Sequence, residues 1–243
     1  LGIADNTIFL FVSDHGSNGK GSLFRTRGME VPCIVRWPNG IKAGTVCDEL
    51  LQSTDFVPTW FDVAGAEIPK GYHLDGISFA PLFKNPHKPY RDYVFGEMGG
   101  ARSIKTKDWN LITLRYPKDI IAYEDRKLKQ LTGLSGGISR AGQTHKAAFD
   151  PDQLYHLGRD PGEQVNLAGD PEHAIQLKKM MRTLSAVLEG FPDHPYGELF
   201  PGGDATGREE AAALLKRVET AAGSDAKTKK RPRKRQQKKR KKN

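Results

Sequence analysis

The sequence predicts an α/β fold followed by a smaller antiparallel sheet, and three observations lead to this prediction. Residues 7–12 form an apolar run without alternation, which is typical of a strand buried on both faces in a parallel sheet. Residues 90–116 contain three short strand-like runs separated by turns, which favours an antiparallel sheet. Apolar residues recur at helical spacing from Ala174 to Leu188, which predicts a helix packed on a core.

The composition is that of a globular body with a basic end. The chain has 243 residues and a formal net charge of +9, but 12 of its 38 Lys and Arg residues lie within residues 227–242, where there is no acidic residue. The remainder has 26 basic against 29 acidic residues and is mildly acidic. No apolar run reaches the roughly 18 residues of a membrane span. We therefore predict no membrane span and a disordered basic tail.

In the first region, local signals predict two short strands, then one helix, then an irregular stretch. A Gly-rich loop follows the first strand, and residues 31–37 form a second strand that Pro38 ends. Ser53 or Thr54 can cap a helix over residues 55–64, and Gly65 fits the position after its end. The apolar side chains of this helix predict a face toward the core.

The second region is predicted to pair strands and then pack a helix on them. Strands are expected at residues 90–97, 101–106, 109–116 and 153–157. Asp170 caps the following helix, Pro171 takes its first position and Gly190 ends it. Further helices are predicted at residues 119–131 and 208–222. We expect part of a catalytic domain at residues 1–86 and an antiparallel-sheet subdomain with its helix at residues 87–190. A linker with a helix follows at residues 191–225, and the basic tail occupies residues 226–243.

Cys33 and Cys47 are the two cysteines of the chain. Neither lies in a Cys-x-x-Cys pair, so neither a zinc site nor a redox motif is indicated. The sequence leaves a disulfide between them open. We expect two buried, free thiols.

The candidate functional residues follow the first strand. Ligands of open α/β sheets bind beyond the carboxyl ends of the strands, where Asp14 offers oxygen ligands and His15 an imidazole. Lys20 lies between Gly19 and Gly21, which let the backbone approach an anion closely. These residues predict a site for a cation and an anionic substrate. On these residues alone, a turn-capping Asp beside a surface His and a solvated Lys remain alternatives.

Four segments in order carry a resemblance to a known family. They are Phe-Val-Ser-Asp-His-Gly at 11–16; Gly-Lys-Gly-Ser-Leu-Phe at 19–24, running into Glu-Val-Pro-Cys-Ile-Val-Arg-Trp-Pro at 30–38; Ser-Thr-Asp-Phe-Val-Pro-Thr at 53–59 with Leu-Asp-Gly-Ile-Ser at 74–78; and Leu-Tyr-His-Leu at 154–157 with Asp-Pro-Gly-Glu-Gln-Val-Asn-Leu at 160–167. Together they resemble the arylsulfatase-type sulfatases of the alkaline phosphatase superfamily.

The resemblance implies a fold and an activity. The chain would be the C-terminal part of an alkaline-phosphatase-like α/β/α sandwich, followed by a small α+β subdomain with an antiparallel sheet and a packing helix. Such enzymes are sulfuric ester hydrolases that use a formylglycine nucleophile and a calcium ion. The implied partner is a sulfate ester, with a sulfated polysaccharide as one candidate, and the implied location is periplasmic or secreted.

The resemblance also assigns roles to residues. Asp14 is implied as a metal ligand, and His15 stands where the family usually has Asn, as a ligand or as a substrate contact. Lys20 matches the lysine that binds a sulfate oxygen and stabilises charge on the transferring group, which is a catalytic role. His145 is a further candidate for substrate binding, in the second region that borders the family's substrate cleft.

Some family features are absent from this chain. Neither cysteine begins the Cys/Ser-x-Pro/Ala-x-Arg motif that becomes formylglycine, and the family's Asp-Asp metal pair is missing. Residues 25–30 replace the common Glu-Gly-Gly-x-Arg. We expect the nucleophile and the other metal ligands in an N-terminal part before Leu1, and little or no activity from the isolated chain.

Two other interpretations remain. The chain is either an inactive sulfatase remnant that binds polyanions through its tail, or part of a related phosphodiesterase or phosphonate hydrolase with the same metal-site logic. The tail contains no aromatic residue, so nucleic-acid binding through base stacking is not favoured. A solubilising end is its simpler interpretation.

Overall fold

A computed structural model describes residues 1–16, 22–24, 28–98, 101–115, 145–147 and 150–190. The strands of this part form two antiparallel sheets, a ribbon of two strands and a meander of four. The elements in chain order are β1 (Phe9–Val12), β2 (Cys33–Arg36), α1 (Phe56–Ala64), α2 (Ala80–Lys84), β3 (Val94–Met98), β4 (Ala101–Lys105), β5 (Trp109–Leu114), β6 (Asp152–His156) and α3 (Ala174–Glu189).

The first strand departs from its prediction. β1 pairs with β2 in an antiparallel ribbon, with Phe11 opposite Ile34. The exposed fractions of Phe9, Phe11 and Ile34 are 59%, 52% and 59%. The expectation of a strand buried on both faces in a parallel sheet is therefore wrong for this chain. An apolar run indicates that the faces of a strand pack against other parts of a protein, but it does not specify which parts. In the described residues, only β2 lies beside β1.

The cysteines are free, as expected, but both are exposed. The prediction of buried thiols is wrong because Cys33 begins β2 and belongs to the same uncovered ribbon.

The helix predicted at residues 55–64 is confirmed as α1, which ends at Gly65 in the left-handed conformation with φ of 62°. Its start is capped differently from the prediction. A 3-10 turn at Ser53–Asp55 precedes it, and Gln52 and Asp55 cap each other reciprocally. The Asp55 carboxylate reaches the backbone N–H of Gln52, so the cap does not come from Ser53 or Thr54.

The four-stranded sheet confirms the strand predictions of the second region. All three strand pairs are antiparallel, in the order β3-β4-β5-β6. Asp170 accepts a hydrogen bond from the backbone of Glu172 and starts the turn that leads into α3. One face of the sheet packs on this helix, in a core formed by Ile104, Leu111, Leu154, Met180, Leu184 and Leu188.

The opposite face of the sheet is also buried and carries polar as well as apolar side chains. It carries Asn110 and Tyr155, which pair across β5 and β6. Gly96 lies on this face, and a Cβ there would come within 2.7 Å of Met29 Cε and 3.4 Å of Leu23 Cδ2. The missing side chain at Gly96 thus makes room for the segment that follows the Asp14–His15 motif. We call Ser22–Phe24 together with Met29 the docking segment.

Several predictions lie outside the described residues. These are the helices at 119–131 and 208–222, the linker and the tail. The division between residues 86 and 87 stays a prediction. Within the described part, no helix has the length and apolar character needed to cross a bilayer.

Candidate functional site

Asp14 and His15 lie together just beyond the end of β1. His15 Nε2 is 3.4 Å from Asp14 Oδ2, and His15 Nδ1 is 2.8 Å from the carbonyl oxygen of Gly16. A carbonyl only accepts hydrogen bonds, so Nδ1 carries a proton and Nε2 faces the carboxylate. In neutral His15, a nitrogen lone pair and a carboxylate oxygen thus stand side by side. A proton or a metal cation would bridge such a pair of acceptors.

The pair is accessible from solvent. The side chain of Asp14 is 79% exposed and that of His15 is 33% exposed. Ser13 Oγ donates a hydrogen bond to the His15 carbonyl oxygen and tightens the turn. An exposed carboxylate in a fixed turn is open to a ligand from outside this part of the chain.

The turn is tied to the docking segment through the backbone. Gly16 N–H donates to the Gly28 carbonyl oxygen at 3.2 Å, and Gly28 N–H donates to the Phe24 carbonyl oxygen at 3.0 Å. Lys20 lies outside the described residues, but Gly16 and Ser22 on its two sides are described, and Ser22 is buried. The chain therefore enters and leaves the Lys20 segment at fixed points.

His145 lies in the interior beneath the docking segment. The residue is 1% exposed. Its ring stacks on the ring of Phe24, with centroids 3.9 Å apart and an interplanar angle of 3°. Nδ1 is 3.1 Å from the Glu163 carbonyl oxygen. These contacts bury the imidazole against Phe24 and the turn at residues 163–164.

Two buried polar residues that hold the docking segment were not singled out by sequence reasoning. Asn110 Nδ2 donates to the Leu23 carbonyl oxygen at 3.4 Å and to Glu163 Oε1 at 2.5 Å. Glu163 is fully buried and has a positive φ of 53°. The only sequence signal was the Asp-Pro-Gly-Glu turn, which indicates a change of direction but not that its carboxylate is buried.

Asp14 and His15 match part of the calcium site that the resemblance implies. Calcium takes six to eight oxygen ligands, so one carboxylate fits as a single ligand. Over the described ranges, no group of three or more His, Cys, Asp or Glu residues is arranged to hold a metal. Asp14, with His15 beside it, therefore fits one side of a calcium site rather than a whole coordination shell.

Comparison with known proteins finds similarity to sulfatases. A family model described as N-sulphoglucosamine sulphohydrolase, C-terminal, matches residues 14–131. An ulvan-active sulfatase of Formosa agariphila is 30% identical over 202 residues, covering 79% of this chain and 39% of that protein. An N-acetylglucosamine-6-O-sulfatase of Bacteroides thetaiotaomicron is 27% identical over 212 residues, covering 80% of this chain and 32% of that protein.

A solved structure agrees with these relatives. A protein in complex with its substrate D-glucosamine-2-N,6-O-disulfate aligns with a TM-score of 0.58 and 24% identity, over 80% of this chain and 36% of that chain. The family model, the relatives and this structure together support a match of the chain to the C-terminal portion of sulfatases of the alkaline phosphatase superfamily. The predicted fold class is thereby confirmed.

Proposed function

We propose that this chain is the metal- and sulfate-binding portion of a sulfatase active site. The observation that carries the proposal is the exposed Asp14–His15 pair in a fixed turn at the end of β1, where the family match begins. The named relatives are sulfatases, and the chain spans 39% and 32% of their lengths. In this proposal, the activity of the whole protein also depends on residues outside this chain.

Each candidate residue then has a physical task. The Asp14 carboxylate supplies an oxygen ligand to calcium, and His15, oriented by its hydrogen bond to Gly16, contacts either the metal or the substrate. Lys20 places a positive charge at a sulfate oxygen and offsets the charge that develops during ester cleavage. Calcium, when bound, supplies Lewis-acid stabilisation of the sulfate oxygens. The formylglycine nucleophile is expected outside this chain.

We propose sulfated saccharides as the substrate class. One similar protein was solved with its substrate D-glucosamine-2-N,6-O-disulfate, and another is an N-acetylglucosamine-6-O-sulfatase. A third is a sulfatase active on ulvan. A periplasmic or secreted location is proposed on the family resemblance alone.

The full-length protein is expected to release inorganic sulfate from an aryl sulfate, and a calcium chelator should abolish the release. The isolated 243-residue chain should release none above background, because it lacks a formylglycine motif. Ion chromatography of sulfate measures both reactions. A phenylphosphonate monoester serves as the competing substrate.

Three outcomes would contradict this proposal. Chelator-sensitive sulfate release by the isolated chain would show that its own residues complete the site. Faster turnover of the phosphonate ester by the full-length protein would favour the phosphonate hydrolase. No turnover of either substrate would favour the inactive remnant.

Removal of residues 227–243 is expected to raise KM for a sulfated polysaccharide while leaving KM for a small aryl sulfate unchanged. The 12 basic residues of this tail would attract a polyanion by releasing its counterions, which gains little with a small monoanion. Steady-state kinetics at low and high salt measure the effect, which should fade as salt rises. Equal changes for both substrates would reject electrostatic recruitment and leave the solubilising role.

A further inference from the structure

We propose that His145 is a positioning residue for the Asp14–His15 pair and acts on it through Phe24 and Gly28. The inference rests on the proposed function, because it assigns His145 to the same site. It differs from the sequence expectation in one respect: His145 supports the metal motif from beneath and does not touch the substrate.

The first link is the ring stack. The imidazole of His145 and the ring of Phe24 are nearly parallel, with centroids 3.9 Å apart, and both residues are buried. Tyr155 of β6 also contacts the Phe24 ring, at a centroid distance of 5.7 Å. Phe24 is thus held between His145 and the sheet, and its backbone has little freedom to shift.

The second link is a short backbone path. The Phe24 carbonyl oxygen accepts hydrogen bonds from Gly28 N–H at 3.0 Å and Met29 N–H at 3.4 Å. The Gly28 carbonyl oxygen then accepts from Gly16 N–H. The Gly16 carbonyl oxygen in turn fixes Nδ1 of His15, whose Nε2 faces Asp14. Every step from His145 to the carboxylate is a direct contact between described residues.

The third link is a set of buried hydrogen bonds that hold Leu23 and His145, on the two sides of Phe24. Asn110 joins the Leu23 carbonyl oxygen to Glu163 Oε1, and the Glu163 carbonyl oxygen holds His145 Nδ1. Both sides of Phe24 are therefore tied to one buried turn. A support this well packed transmits a displacement instead of absorbing it.

The residue's burial decides between positioning and direct binding. A residue that is 1% exposed has no free edge for a substrate without a rearrangement of Phe24. Besides its contact with the Glu163 carbonyl oxygen, His145 gives the site a flat ring against which Phe24 packs. A phenyl ring offers a similar surface, whereas a methyl group does not.

The experiment compares His145→Ala with His145→Phe in the full-length protein. Calcium affinity is measured by isothermal titration calorimetry, apart from any turnover. We expect His145→Ala to weaken calcium binding about 10-fold, as is typical when a group that orients a metal ligand is removed. His145→Phe keeps the stack and should stay within about three-fold of the original protein. If His145→Ala does not fold, Phe24→Leu, which removes the stack from the other side, is expected to weaken binding in its place.

A matched control and a double-mutant cycle isolate the coupling. The control is His156→Ala, which removes another histidine–aromatic contact of the same sheet, between His156 and Trp109 with centroids 4.6 Å apart. This contact has no bond to the docking segment, so the substitution should leave calcium affinity unchanged. In an Asp14→Asn background, His145→Ala should cost much less than it does alone, because the ligand it positions is already impaired.

The outcomes separate the two proposals. If Asp14→Asn leaves calcium affinity unchanged, the proposed metal site fails, and this inference fails with it. If Asp14→Asn weakens calcium binding but His145→Ala does not, or if the two effects multiply independently, only the positioning role is overturned. Equal losses from His145→Phe and His145→Ala would also overturn it, because they would show that a polar contact of the imidazole matters and the ring stack with Phe24 does not.

Discussion

Replacement of Asp14 by alanine in the full-length protein is expected to lower kcat/KM for an aryl sulfate by about 100- to 1000-fold, which is the usual cost of losing one group that stabilises transition-state charge. The carboxylate is exposed and fixed in a turn, and it stands beside His15 Nε2 with its oxygens open to a cation. Without it, calcium would lose a charged ligand and hold the sulfate oxygens less firmly. Initial-rate kinetics across a calcium titration measure the loss.

Asp5→Ala is the matched control, because Asp5 is an exposed carboxylate shortly before the same strand. It should leave both kcat/KM and the calcium dependence unchanged. Added calcium should recover part of the Asp14→Ala activity if Asp14 is a metal ligand. A loss of activity that is the same at every calcium concentration would count against that role.

Replacement of Asp55 by alanine is expected to lower the free energy of unfolding by about 3–5 kcal/mol, the cost of breaking a buried ion pair from one side. Asp55 is fully buried, and its carboxylate accepts from Arg91 Nη2 at 2.5 Å, from Gln52 N–H at 2.8 Å and from Ile77 N–H at 3.1 Å. Alanine would leave a largely buried guanidinium and two backbone donors without this acceptor. Urea denaturation followed by circular dichroism measures the change.

Asp62→Ala provides the comparison from the same helix. Its exposed carboxylate accepts one hydrogen bond, from Ser78 Oγ, so the expected cost is about 1 kcal/mol. Removal of Arg91 together with Asp55 should recover part of the stability, since no buried charge is then left uncompensated. A cost of Asp55→Ala no greater than that of Asp62→Ala would show that the ion pair contributes little.

Elements whose signals are local could be predicted from the sequence. Gly65 ends α1 because glycine, which has no Cβ, adopts the left-handed conformation without strain, and Asp170 caps the approach to α3 through its own side chain. The strands of the meander follow from short apolar runs between turns. The adjacency of Asp14 and His15 is also local, because the strand end followed by Ser-Asp-His-Gly places the two side chains next to each other.

Features that depend on distant parts of the chain could not be predicted. The uncovered state of β1 depends on which strands lie beside it, and its own residues do not specify them. The burial of His145 depends on Phe24, which lies far away in sequence, so the sequence indicated a substrate-binding residue and not an interior one. Glu163 is similar, because a turn motif gives no sign that Asn110 will meet its carboxylate.

The buried face of the four-stranded sheet has a consequence for the order of synthesis. Leu23 and Asn110 are 87 positions apart, and Asn110 in turn needs Glu163, 53 positions further on. A ribosome makes Asp14 long before it makes the residues on which the neighbouring segment rests. The closing of so long a loop is entropically costly and must wait for the sheet. The turn with Asp14 and His15 is therefore among the first parts of this chain to be translated and among the last to reach its final place. A chain cut short before residue 145 would keep Asp14 and His15 but would lose His145 and Glu163, whose contacts hold the docking segment in place.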